Sequence, residues 1–214
     1  MVEVQRHGFD FQEWVIRTFF TSFVAEYTEK WDVPKEFNSS DRVPEEMRHL
    51  PVSIKTCKYG SPIGFGDAIR QFGIHEDFVL IVGFWQQAGP VKNFVAAEAV
   101  RISSHQWKQL FEPITPEILL KLDQMIKDFG THYSTVRTLA KATKNNYPFT
   151  DSVMVINPKI DSKKQRRLQC SLPFKAFWNL LEKAASSNTN CSLLGIPIPN
   201  PFMSPPRTFR SFDL

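Results

Sequence analysis

Residues 50–84 read LPVSIKTCKYGSPIGFGDAIRQFGIHEDFVLIVGF, and this stretch decides the fold. Its first ten residues alternate Val52, Ile54 and Thr56 with Ser53, Lys55 and Cys57, which predicts a strand with two distinct faces. Three glycines and a proline follow within 60–66, so a turn is expected there. Asp67 is placed to open a short helix running through Phe72. Residues 77–84, DFVLIVGF, are nearly all apolar and rich in β-branched side chains, the composition of a central strand buried on both faces. A two-faced strand, a helix and a fully apolar strand in succession predict an α/β fold built on a mixed sheet.

Working outward, apolar residues recur at helical spacing over 9–27, with Asp10 placed as the N-cap. Trp31, Asp32 and Val33 form a short extended piece stopped by Pro34, and the polar residues 35–49 read as a long loop. Residues 91–102 look like a neighbour of the buried strand. Helices are expected over 104–111 and, as one long amphipathic piece, over 116–142. Strand-like runs at 152–156 and 167–172 flank a basic turn at 163–166, and a helix over 174–185 follows. Residues 193–207 carry five prolines, which predicts an irregular arm with enough Ile, Leu and Phe to pack in an ordered way. The expectation is a single domain over 1–214, with a core in 1–103 and a basic helical and hairpin region in 104–214.

The composition fits a globular protein: 214 residues, 42% hydrophobic and 22% charged, which excludes disordered and collagen-like classes. The longest uncharged apolar run, 78–91, is too short for a membrane span and contains Gln86 and Gln87, so no membrane association is expected and the location is read as cytoplasmic. Cys57, Cys170 and Cys191 are odd in number and widely spaced, which argues against a disulfide framework and against a zinc site. The five histidines show no ligand spacing. Charge is uneven. Residues 1–100 hold 10 Lys/Arg against 14 Asp/Glu, whereas residues 101–214 hold 16 against 8. From Arg137 to Lys175 there are nine basic residues and two acidic ones, a field suited to a polyanion or, more plainly, a solvated surface.

A phosphodiester-cleaving site needs carboxylates to hold a divalent cation and a lysine near the attacked phosphate. Asp32 and Lys55 fit two of these roles, because a lysine on the polar face of an otherwise apolar strand calls for a task or a carboxylate partner. Here the chain resembles the PD-(D/E)XK nuclease superfamily, whose core sets an aspartate before an acid-X-lysine triplet. Asp32 would be the first acid and Ser53-Ile54-Lys55 the triplet, with serine where the second acid is usual. Some type II restriction endonucleases of that superfamily have serine there and take the carboxylate from the following helix, where Asp67 stands twelve residues after Lys55. Glu13 resembles a helix glutamate that assists in many such nucleases. The resemblance spans residues 9–85.

It implies a restriction-endonuclease-like core and a Mg2+-dependent type II endonuclease acting on double-stranded DNA. Asp32 and Asp67 would bind the metal, Lys55 would act at the attacking water, and Glu13 would assist. Symmetric cutting of a palindrome is most simply done by a two-fold homodimer. Arg70, Gln71, Lys163, Lys164, Arg166, Arg167 and Arg207 are the expected DNA contacts. Each residue also has a plainer reading: Asp32 shaping a turn, Lys55 an exposed strand lysine, Asp67 a helix cap, Glu13 a surface acid. A structure-specific repair, recombination or phage nuclease of the same superfamily, a DNA-binding protein with a decayed site, and a protein-interaction domain are the rival readings.

Overall fold

The computed structural model describes residues 3–23, 31–89, 91–161 and 165–203. The chain divides into two compact units that interleave: unit 1 takes Met1–Tyr59, Val79–Arg101 and Ser186–Leu214, and unit 2 takes Gly60–Phe78 and Ile102–Ala185. The chain passes from one unit to the other at Tyr59/Gly60, Phe78/Val79, Arg101/Ile102 and Ala185/Ser186.

Unit 1 is built on a four-stranded sheet of order β1-β3-β4-β9, formed by β1 (Val52–Lys58), β3 (Phe78–Ala88), β4 (Val91–Ile102) and β9 (Phe202–Met203). β1 and β3 are parallel, in register from Val52 opposite Val79 to Lys58 opposite Trp85. β4 and β9 are antiparallel, so the sheet is mixed as the sequence predicts. Parallel neighbours need a long connection, and here it is the chain 59–77. β3 is buried at every residue from Phe78 to Phe84, as its unbroken apolar run requires.

Helix α1 (Glu3–Phe19) lays Phe11, Val15, Ile16 and Phe19 into the core that also takes Val52, Ile54, Val79, Ile81 and Phe94. The Phe11 and Phe94 rings stack with centroids 4.7 Å apart. The loop after residue 34 is fixed by Asn38, fully buried, whose side-chain amide donates to Met47 O at 2.7 Å and Leu50 O at 2.8 Å. At the end of unit 1, β7 (Ser192–Leu193) and β8 (Ile196–Pro197) make a small hairpin.

Unit 2 holds an antiparallel sheet of order β2-β6-β5, from β2 (Ile63–Asp67), β5 (Val155–Ile160) and β6 (Arg166–Leu172). Its helices are α2 (Ala68–Phe72), α3 (Ser104–Gln109), α4 (Pro116–Ile126), α5 (Tyr133–Lys144) and α6 (Phe174–Leu180). Trp107, fully buried, centres this unit: its ring N–H donates to Gln71 O at 2.8 Å and its edges meet Phe65 and Phe78. α3 starts at a capping box in which Ser103 and Gln106 satisfy each other's backbone N–H.

Several expectations are corrected. The first helix begins at Glu3 and ends at Phe19, so Asp10 lies inside it and is no N-cap. The glycine-rich 60–66 turns only at its start and is a strand from Ile63 on, with a bulge between Gly64 and Gly66. The single helix over 116–142 is two helices, because Asp128 binds Gly130 N at 3.0 Å and the Thr131 hydroxyl at 2.6 Å and turns the chain locally. The last helix stops at Leu180, and the proline-rich arm is not wholly irregular: the short strands β7, β8 and β9 form at its start, at Ile196–Pro197 and at Phe202–Met203. Among the described residues no helix is long and apolar enough to cross a membrane.

Candidate active site

Val33 exchanges backbone hydrogen bonds with Val52, 3.1 Å for Val33 N to Val52 O and 2.8 Å for Val52 N to Val33 O. This antiparallel bridge sets the Trp31-Asp32-Val33 segment beside the start of β1. Because side chains alternate along a strand, Val52 and Ile54 enter the core while Ser53 and Lys55 face the other way. Asp32 meets that second face. Its Oδ2 accepts from Ile54 N at 2.6 Å, from Lys55 Nζ at 2.9 Å and from the Ser53 hydroxyl at 3.4 Å. Lys55 Nζ also donates to Ile54 O at 3.0 Å. The side chains of Lys55 and Asp32 are 22% and 25% exposed, sheltered enough to be held and open enough to be reached by a solute.

An ammonium has three donors, and two of the three on Lys55 are engaged here. All three contacts to Asp32 converge on Oδ2, and no described residue hydrogen-bonds to Oδ1. The arrangement therefore presents a carboxylate oxygen and an ammonium side by side. Oxygen donors of this kind suit a hard cation such as Mg2+. In number they are one carboxylate, and among the described residues no group of three or more His, Cys, Asp or Glu side chains could hold a metal ion.

The other expected residues are distributed differently. Asp67 belongs to unit 2, is exposed, and caps α2 by accepting from Arg70 N at 2.8 Å. Glu13 faces solvent and pairs with Arg17 one turn later at 2.5 Å. Arg70 is exposed but Gln71 is buried, so the two do not share a surface. Arg166 is occupied: its guanidinium donates to Asp128 O and, at 2.9 Å, to Thr131 O, and lies over the Phe129 ring. It therefore braces the connection between α4 and α5. Arg167 is exposed and donates to Gln165 Oε1 at 3.0 Å. Lys163, Lys164 and Arg207 lie outside the described residues.

Burial pushes the thiols of Cys57 and Cys170 up to about 12, with the Asp67 charge adding at Cys170, and raises Cys191 as well. Such thiols stay protonated near neutral pH and are poor nucleophiles. Sequence reasoning missed two things. The tightest partner of Asp32 is the backbone N–H of Ile54, which no side-chain motif encodes. The second is a cluster of cations on α5, whose signal is Arg137, Lys141 and Lys144 at helical spacing. No protein-family model matches the chain, and no curated protein or solved structure matches it either.

Proposed function

We propose that the protein is a Mg2+-dependent endonuclease of double-stranded DNA, most like a type II restriction enzyme, working at the Asp32–Lys55 pair. One observation carries the reading: Lys55 Nζ lies 2.9 Å from Asp32 Oδ2 on the polar face of β1, beside the parallel strand β3. In this reading Asp32, whose Oδ1 accepts from no described residue, would hold the metal, and the ion would supply Lewis-acid charge when bound. Lys55 orients the attacking water with its remaining N–H and stabilises the negative charge that develops on the phosphoryl oxygens. Ile54 N and Ser53 hold the aspartate in place, which reduces the reorganisation needed during the reaction.

The test is incubation with plasmid and phage DNA in Mg2+, where discrete bands are expected and excess EDTA should remove them. Calcium should support binding with little turnover, because its looser coordination holds a substrate without organising the attack. Lys55→Ala should abolish cleavage while leaving DNA affinity near normal. Undiminished cleavage in EDTA, or by Lys55→Ala, refutes the reading; a Lys55→Ala protein that no longer folds would make the pair a structural clamp.

A further inference from the structure

Between α5 and β5, wholly within unit 2, lies a groove of about 340 Å³ lined by Arg137, Lys141, Lys144 and Lys159 over a floor that includes Pro158 and Ile160. No carboxylate lines it. Arg137 is held at its edge: Nε and Nη2 donate to Ile160 O at 3.2 and 2.7 Å, and the guanidinium lies over the Tyr133 ring at 5.3 Å. With five N–H donors on a guanidinium, the rest remain for a ligand. Lys141, Lys144 and Lys159 form no ion pair with any described residue, and Lys141 and Lys159 are exposed.

Lys141 and Lys144 sit in the last turn of α5, where cations also offset the negative end of the helix. That accounts for neither Arg137 nor Lys159, nor for the four sharing one concavity. Along α5 the three cations at i, i+4 and i+7 span about 10 Å. A duplex strand rises about 3.4 Å of helix axis per phosphate while winding around that axis, so its phosphates lie further apart than this rise; a track of about 10 Å still reaches more than one of them and exceeds what a single free phosphate needs.

We infer that the groove between α5 and β5 is a binding track for the phosphate backbone of duplex DNA. Arg137 is the fixed contact, Lys141 and Lys144 follow the strand, and Lys159 closes the opposite wall. The inference stands on this groove alone and holds whether or not Asp32 and Lys55 perform chemistry.

The test is fluorescence anisotropy of labelled duplex DNA over a range of salt concentrations. The variants are Lys141→Ala with Lys144→Ala, Lys159→Ala, and Lys121→Ala as a control on the exposed side of α4. Each lost phosphate contact should remove about 0.9 from the log-log salt slope, so the double variant should lose about 1.8 and Lys121→Ala nothing. Labelled polyglutamate and a labelled single strand should bind more weakly and lose less. An unchanged slope in the double variant overturns the inference, as does an absence of duplex binding at low salt. An equal loss for polyglutamate or the single strand would make the groove a general polyanion patch and also overturns it. Cleavage in Mg2+ with and without EDTA, scored separately, tests the nuclease reading, so its failure leaves a different signature from failure here.

Discussion

Asp32 and Asp67 are both aspartates that bind a backbone N–H, yet the two bonds do different work. At Asp32 the bond from Ile54 N joins a lysine and a serine at the same oxygen, whereas at Asp67 the bond from Arg70 N closes the first turn of a five-residue helix. A cap of that kind contributes about 1 kcal/mol, and asparagine caps about as well as aspartate. Asp67→Asn should therefore unfold at the same denaturant midpoint as wild type, while Asp67→Ala should lose about 1 kcal/mol in equilibrium urea unfolding. Cleavage by the pair then separates the roles: inactivity of Asp67→Asn makes the carboxylate part of the chemistry, and full activity leaves it a cap. At this scale the pairing of Asp32 with Lys55 was legible, because a lysine on the polar face of an otherwise apolar strand calls for a partner. It did not show that Gln71 is buried or that Arg166 is bound, since their partners come from chain some 35 residues away.

At the scale of elements, α1 lies so close to β3 that Gly83 has no room for a side chain. A Cβ there would come within 2.7–2.9 Å of the Phe11 and Phe94 rings. Both rings belong to the tightly stacked pair of unit 1, so neither can move without opening the core. Gly83→Ala should cost about 1–3 kcal/mol through overpacking, read as a lower urea midpoint. Phe11→Leu in the same chain should recover part of the loss, giving a double variant less destabilised than the sum of the singles. Additive losses would mean that the glycine serves the strand's backbone instead. The buried strand was legible because its apolar run leaves few other structures open, and β4 was legible beside it. The break between α4 and α5 was not. Residues 116–142 keep a helical pattern on both sides, and the turn depends on three bonds around Asp128 and Gly130 that local composition understates.

For the whole molecule, the sequence gives a division of charge and the structure gives a division of chain, and the two coincide over part of their length. The basic stretch 137–175 lies entirely within unit 2, while Asp32 and Lys55 lie in unit 1. Interleaving was illegible because it depends on where the chain returns: 186–203 packs with unit 1 through Leu193, Ile198 and the bonds of Asn200 to Phe94, contacts about a hundred residues apart in sequence. With its chemistry at the Asp32–Lys55 pair, each chain of the proposed nuclease has one reaction centre for one strand. The strands of a duplex are antiparallel, so equivalent attack on both at a palindrome needs two centres related by a two-fold axis. Mixing decides this. When wild type is diluted into excess Lys55→Ala and the subunits exchange, most active pairs carry one working centre, and supercoiled plasmid should accumulate as nicked circles. A monomer that cuts the strands in turn would instead give the wild-type balance of nicked and linear product at every ratio, at a rate that falls in proportion to the wild-type fraction. Agarose-gel time courses separate the two outcomes, and a product balance unchanged by exchange would refute the homodimer.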